Sequence, residues 1–369
     1  MQITLVAGAR PNFMKIAPII RAIEAFQRQG NEIQYRLVHT GQHYDQAMSG
    51  SFFSELNIPE PHINLECGGG TQAEQTAAIL VRFEQELLLN RPDLVLVVGD
   101  VTSTMACTIT AKKCGVDVAH VEAGIRSNDM TMPEEINRMV TDSIADWFFT
   151  TTEAASQQLI RCGIDASRIH FVGNTMIDTL MQQMSHFKKP DILDTVLAKQ
   201  STYFLLTLHR PSNVDDASKL KQILDTILLS NRGVPVLFPV HPRTKKNLET
   251  IGYENPDLII TNPQPYLHFM YLIQHSKGVI TDSGGITEET TVLNIPCLTL
   301  RNSTERPETI SMGTNELIGD DYDKLSECIQ SILDGSWKSG KIPPLWDGHT
   351  AERIIRVIHE HYNPKAVRS

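Results

Sequence analysis

Short, nearly uninterrupted apolar runs recur along this chain, each followed by a turn and then by a stretch of helical periodicity. In the first half the runs are Ile3–Ala7, Tyr35–His39, Leu94–Val98, Val116–Val121, Trp147–Thr150 and Ile169–Val172. The stretches between them include Ile16–Gln29, Gln72–Leu89, Thr102–Lys113 and Glu134–Ala145. A strand with no polar alternation has both faces covered, and strands that alternate with helices form a parallel sheet. The second half repeats this grammar. Its expected strands are Tyr203–Leu208, Pro235–Pro239, Leu258–Thr261, Gly278–Thr281 and Cys297–Leu300. Its expected helices include Ala217–Leu229, Tyr266–His275, Ile286–Leu293 and Tyr322–Leu333.

The length of 369 residues suits two cores better than one. Gln183–Thr202 is polar, contains Pro190 and separates the two runs. The expected organisation is therefore an α/β chain of two doubly wound Rossmann-like domains, 1–182 and 183–349. A last helix within 350–369 is free to pack back on the first domain. In such sheets ligands sit beyond the carboxyl ends of the strands, which here points to a cleft between the domains.

Lys plus Arg is 33 and Asp plus Glu is 43, a net charge of −10. That balance gives no overall attraction to nucleic acid or to an anionic membrane. No apolar run approaches the ~20 residues of a membrane span, and the opening residues do not read as a signal peptide. The six cysteines are scattered without C-x-x-C or zinc-ligand spacing, so reduced thiols and a cytoplasmic location are expected, with no metal.

Against an acidic background, cations gathered in turns are informative. Gly8-Ala9-Arg10-Pro11-Asn12-Phe13-Met14-Lys15 follows the first strand and opens a helix. A helix N-terminus with Arg10 and Lys15 suits a phosphate, although a turn with two solvated cations would read the same. It is neither G-x-G-x-x-G nor a Walker loop, so a nicotinamide cofactor is not expected. Thr281-Asp282-Ser283-Gly284-Gly285 ends another buried strand just before a helix. Its glycines let backbone N–H groups approach an anion, and Ser283 either caps the helix or donates to phosphate. Of the following Glu288 and Glu289, one suits the helix dipole and the other the hydroxyls of a ribose.

Carboxylates also collect at strand ends. Leu94–Val98 delivers Asp100, His120-Val121 delivers Glu122, and Met132-Pro133 opens a helix with Glu134 and Glu135. Asp100 alone reads equally well as a helix cap. Three acids on one side of one sheet repel unless substrate or cations lie among them, and such clustering suits acid–base work. From the second domain, His209 and Arg210 end one strand and His241 the next.

In this order the motifs resemble the non-hydrolysing UDP-N-acetylglucosamine 2-epimerases. They are Gly8-Ala9-Arg10-Pro11, Gly41-Gln42-His43, Gly99-Asp100, His120 to Arg126, Pro133-Glu134-Glu135, Val172-Gly173-Asn174-Thr175, His209-Arg210, Thr281 to Gly285 and Thr304 to Glu308. The resemblance implies a GT-B-like fold, a homodimer, no cofactor, and UDP held mainly by the C-terminal domain. By position it makes Asp100, Glu122 and Glu134 the active-site acids and His209 the histidine near the phosphates. Arg10 and Lys15 become the family's N-terminal basic pair; Arg210, His241 and Arg306, which follow strands of the second domain, are expected to bind substrate with them. Ser283, Gly284 and Gly285 become the diphosphate cradle, Glu289 the ribose acceptor and Phe269 the wall against uracil. The implied reaction interconverts UDP-GlcNAc and UDP-ManNAc by eliminating UDP to 2-acetamidoglucal and adding it back. This agrees with the chemistry, because no carbonyl makes the hydrogen on carbon 2 acidic.

The match departs at Ala9 and Asn12, where Thr and Glu are usual, and after Arg210, where Pro211-Ser212 replaces Arg-Glu. These departures leave open a modified sugar such as UDP-2,3-diacetamido-2,3-dideoxy-glucuronate. Gln42 and His43 match a regulatory segment for a second substrate molecule, but Glu66–Gln72 lacks its arginine, so weak or absent activation is expected. A GT-B glycosyltransferase, a hydrolysing epimerase and a non-catalytic nucleotide-sugar sensor are the competing readings.

Overall fold

A computed structural model describes residues 1–41 and 56–362. The chain forms two compact units, one of Met1–Gln182 with the chain from Pro344 onward, the other of Gln183–Pro343. The first unit contains β1 (Gln2–Ala7), β2 (Gln34–His39), β3 (Ile63–Asn64), β4 (Leu94–Val98), β5 (Asp117–Val121), β6 (Trp147–Thr150) and β7 (Ile169–Phe171). They form one parallel sheet in the order β3-β2-β1-β4-β5-β6-β7. The second unit contains β8 (Phe204–Thr207), β9 (Val236–Pro239), β10 (Leu258–Thr261), β11 (Gly278–Thr281), β12 (Cys297–Thr299) and β13 (Asn315–Leu317). Its parallel order is β10-β9-β8-β11-β12-β13.

Both sheets wind outward from their first strand and then reverse, as Rossmann sheets do. The reversal falls between β1 and β4 in one unit and between β8 and β11 in the other. A crevice opens at such a point because the two following helices leave on opposite faces. The apolar runs explain the layering. All five residues of β4 are buried, and Val95 and Val97 pack with Phe83, Ala106, Cys107 and Phe148. In the second unit Phe204, Leu206, Ile280 and Leu298 form the equivalent core with Leu224, Ile227 and Ile329. Each such side chain contributes about 1.5–3 kcal/mol by leaving water.

Several boundaries differ from expectation for local reasons. Helix Arg10–Arg28 starts before Ile16, because Pro11 fits its first turn and Asn12 closes its end. Helix Gly284–Leu293 starts two residues before Ile286. Strands β3 and β13 were not expected; edge strands of two and three residues are too short to show a period.

The return to the first unit begins at Pro344, so residues 344–349 join it rather than the second. Trp346 is 1% exposed and its indole donates to the carbonyl of Thr151 at 3.1 Å. The buried carboxylate of Asp178 accepts from the backbone N–H of Thr350 (3.1 Å) and Ala351 (2.7 Å), closing the start of helix Thr350–Tyr362. That helix buries Ile354, Ile355 and Ile358 and packs on helix Arg10–Arg28.

Candidate active site

In the first unit Lys15, Asp100 and Glu122 lie around Gly99, just beyond β4. Gly99 has φ +68°, the left-handed region that glycine enters without penalty. A Cβ there would stand 2.9 Å from Lys15 Nζ and 3.4 Å from Glu122 Oε2. Lys15 Nζ donates to Glu122 Oε2, and both side chains are largely buried. Glu122 itself has φ +70°, an uncommon backbone state for a residue with a side chain. It is held by its N–H, which donates to the carbonyl of Phe149 at 3.0 Å. Such strain concentrates where a side chain must be aimed rather than relaxed.

Asp100, the next residue, does not cap helix Thr102–Lys113, whose cap position is Val101. Its carboxylate instead takes a bond from Arg138 NH2 at 2.5 Å, and its carbonyl one from Asn137 Nδ2 at 2.8 Å. Arg138 also reaches Glu135 at 3.0 Å. Glu135 is occupied by its own loop, accepting from Ser127 N and Oγ and from Asn128 N. Burial works to raise its carboxyl, but the bonds from Ser127, Arg138 and Asn128 outweigh that and hold it below the usual range. Glu134 lies beside it, half-buried in the first turn of helix Pro133–Ile144. Asp100 and Glu122 thus flank Gly99, while Glu134 shares its helix with the arginine that holds Asp100. Arg10 opens helix Arg10–Arg28 and is exposed.

Asn12, one of the departures from the expected pattern, is 2% exposed and internally spent. Its Oδ1 accepts from Gly8 N (3.1 Å) and Ala9 N (2.9 Å), and its Nδ2 donates to the Val98 carbonyl at 3.0 Å. The amide ties the end of β1 to the end of β4. Gln42 and His43 lie outside the described residues. Arg82, from helix Gln72–Leu89, donates to the carbonyls of Leu65 and Glu66, beside the segment that lacks an arginine of its own.

In the second unit the reversal brings His209 and Arg210 against Asp282. The Asp282 side chain is fully buried, and its Oδ1 lies 2.7 Å from Nδ1 of the half-exposed His209 ring. It also accepts from His209 N, from Arg210 N at 2.9 Å and from Asn213 Nδ2 at 3.2 Å. Burial pushes its carboxyl up, but the bonds from the His209 ring and the two backbone N–H groups outweigh it, and the group stays below the usual range. Arg210 Nε donates to the Asp282 carbonyl at 3.1 Å. Ser283 stands at the cap position of helix Gly284–Leu293, yet its hydroxyl makes no cap bond; its N–H donates to Thr281 Oγ1 at 3.0 Å. A Cβ on Gly285 would meet nothing within 4 Å, whereas one on Gly284 would stand 3.1 Å from an Arg301 guanidinium nitrogen, so the helix start presents open backbone at Gly285.

Because the helix starts at Gly284, Glu288 and Glu289 lie beyond its first turn and do not serve its dipole. Glu288 is buried and accepts from Arg306 Nε. Glu289 is buried beside it and accepts from the Tyr266 hydroxyl at 3.3 Å. Burial and the Glu288 charge lift the Glu289 carboxyl to about 8. Phe269 is half-buried on helix Tyr266–Gln274, which packs on helix Gly284–Leu293. His241 is exposed, two residues beyond β9.

Sequence reading missed the groups that hold these residues: Arg138, Asp282 and Asn213. It also missed the buried pair of His120 Nδ1 with Asp142 at 2.7 Å, whose ring Nε2 reaches the Gly99 carbonyl at 2.8 Å. Asp282 and His120 stood inside quoted motifs. Only their full burial marks them as partners rather than ligand contacts.

A family model described as UDP-N-acetylglucosamine 2-epimerase matches residues 25–359. The chain belongs to this family. It is similar, at 40% identity over 97% of this chain and 99% of the relative, to UDP-N-acetylglucosamine 2-epimerase of Methanocaldococcus jannaschii. It is 38% identical, over 90% of this chain and 92% of the relative, to UDP-2,3-diacetamido-2,3-dideoxy-D-glucuronate 2-epimerase of Pseudomonas aeruginosa. Among solved structures, the Methanocaldococcus jannaschii epimerase in complex with UDP-GlcNAc and UDP superposes with a TM-score of 0.84, covering 97% of this chain and 99% of that one. The two Rossmann-like units put this family member in the GT-B class of folds.

Proposed function

We propose that this chain is a UDP-N-acetylglucosamine 2-epimerase of the non-hydrolysing kind, an isomerase that needs no redox cofactor. A base takes the proton from carbon 2 as the bond from carbon 1 to the UDP oxygen breaks. This leaves 2-acetamidoglucal and UDP. A proton then returns to the opposite face of carbon 2 while the same oxygen re-forms its bond to carbon 1. Asp100, Glu122 and Glu134 supply the base and the acid. His209, Arg210, Arg10, Lys15, His241 and Arg306 offset the charge of the leaving diphosphate, and Ser283, Gly284 and Gly285 cradle it. Glu289 takes the ribose hydroxyls and Phe269 lies against the base.

The observation that supports this most is the pairing of Asp100 and Glu122 around Gly99 at the reversal of one sheet. Acids in that place have a proton-transfer task that a nucleotide-binding protein alone does not require. The test is to incubate the protein with UDP-N-acetylglucosamine in deuterated water and follow carbon 2 by NMR. Deuterium at carbon 2 with UDP-linked product is expected. Inversion without deuterium, or free sugar as the main product, would overturn the reading.

A second reading, a 2-epimerase of a diacetamido-uronate, is favoured by the similarity to the Pseudomonas aeruginosa relative. Comparing kcat/KM on the two UDP-sugars decides between them. We further propose a cytoplasmic homodimer: the resemblance supports the dimer, and six free thiols fit a reducing compartment.

A further inference from the structure

We propose that Asp282 is a positioning residue for the reaction, fixing His209 in the tautomer that carries its proton on Nδ1 and leaves Nε2 facing outward. This rests on the reading above, in which His209 serves the leaving diphosphate. The two residues come from neighbouring strands. β8 and β11 run in register with Thr207 opposite Thr281, and their hydroxyls lie 2.7 Å apart. The next residues outward place the Asp282 carboxylate directly beneath the turn that carries His209. An ionised carboxylate only accepts hydrogen bonds, so the ring nitrogen 2.7 Å from Oδ1 is the donor. In the neutral ring Nε2 then has its lone pair available, and after protonation it donates. Either state suits a group that exchanges a proton with a phosphate oxygen.

The side chains differ in exposure as this division of labour requires: Asp282 is 0% exposed and His209 54%. Asn213 steadies the carboxylate from behind, its Nδ2 spanning Asp282 Oδ2 (3.2 Å) and the Leu300 carbonyl (3.1 Å). A plain turn-holding role would account for the backbone bonds from His209 and Arg210. It does not account for the contact to Nδ1, which holds no backbone in place. The same logic governs a buried aspartate behind a catalytic histidine in hydrolases, where the amide substitution keeps the geometry but reverses the tautomer.

The experiment uses the full chain labelled with 15N-histidine, with the His209 signals identified by their loss in His209→Gln. Under conditions where the ring is neutral, Nδ1 is expected to carry the proton in the unsubstituted protein, and Asp282→Asn to move it to Nε2. Asp282→Asn is expected to lower kcat by about 100-fold or more with little change in UDP affinity. In the His209→Gln background it should cost less than about threefold further, because a residue acting through His209 has nothing left to act on. A proton found on Nε2 in the unsubstituted protein would overturn the proposal even if Asp282→Asn does not fold. So would an Asp282→Asn loss undiminished by His209→Gln. A fully active His209→Gln would overturn the role given to His209 and this proposal with it. An inactive His209→Gln with the wrong tautomer would overturn the proposal alone.

Discussion

Replacing Glu289 with Gln should stabilise the second unit at neutral and alkaline pH and leave it unchanged in acid. The folded carboxyl titrates near 8, against an ordinary 4.5, because it is buried and faces the Glu288 charge. Between those values the folded state holds a proton that the unfolded chain releases. Stability conferred by that proton is therefore full below about pH 4.5 and is lost as pH rises toward 8. The gap of 8 − 4.5 = 3.5 units, at about 1.4 kcal/mol per unit, sets a ceiling of roughly 5 kcal/mol. Glutamine keeps nearly the same shape and can still accept from Tyr266, which now donates at 3.3 Å. It has no proton to lose, so its pH curve lacks this slope. Urea unfolding of both proteins from about pH 4 to about pH 9 should give nearly coincident midpoints at the acid end. The unfolding free energies should diverge to a few kcal/mol in favour of Glu289→Gln at the alkaline end. Parallel curves across that range would refute the reasoning, since they would mean that Glu289 ionises in the folded protein as easily as in the unfolded chain.

Asp100→Asn, Glu122→Gln and His209→Ala should each keep the fold by circular dichroism and lose roughly 100-fold or more in turnover, the scale of a removed acid–base group. Gly99→Ala should cost about 1–2 kcal/mol for the left-handed backbone alone, read by urea unfolding. It should also depress kcat, because the new methyl group meets Lys15 and Glu122. Asp178→Ala leaves the buried N–H groups of Thr350 and Ala351 without their carboxylate, a loss of about 2–5 kcal/mol. Hydrogen exchange should rise first in the helix Thr350–Tyr362.

The architecture was legible because its carriers are local. β4 reads as five buried apolar residues, and helices Gln72–Leu89 and Thr102–Lys113 have the bounds expected from the sequence. Asp100, Glu122 and His209 stand out in the sequence as candidates because polar side chains that follow buried strands have few structural uses. Their partners do not. Arg138 reaches Asp100 across 38 positions of sequence and Asp282 meets His209 across 73, and nothing in local spacing encodes such contacts. The roles of Ser283 and Glu288 depended on where one helix begins, a shift of two residues that propensity does not resolve.

The first unit is assembled from two separate stretches of chain, whereas the second is continuous. During synthesis the order of completion is therefore inverted. Residues 183–343 leave the ribosome as a whole and can mature at once, while the earlier-made lobe waits for Trp346 and the terminal helix to arrive. A stop codon just after Pro343 would spare the later lobe and leave the older one permanently unfinished.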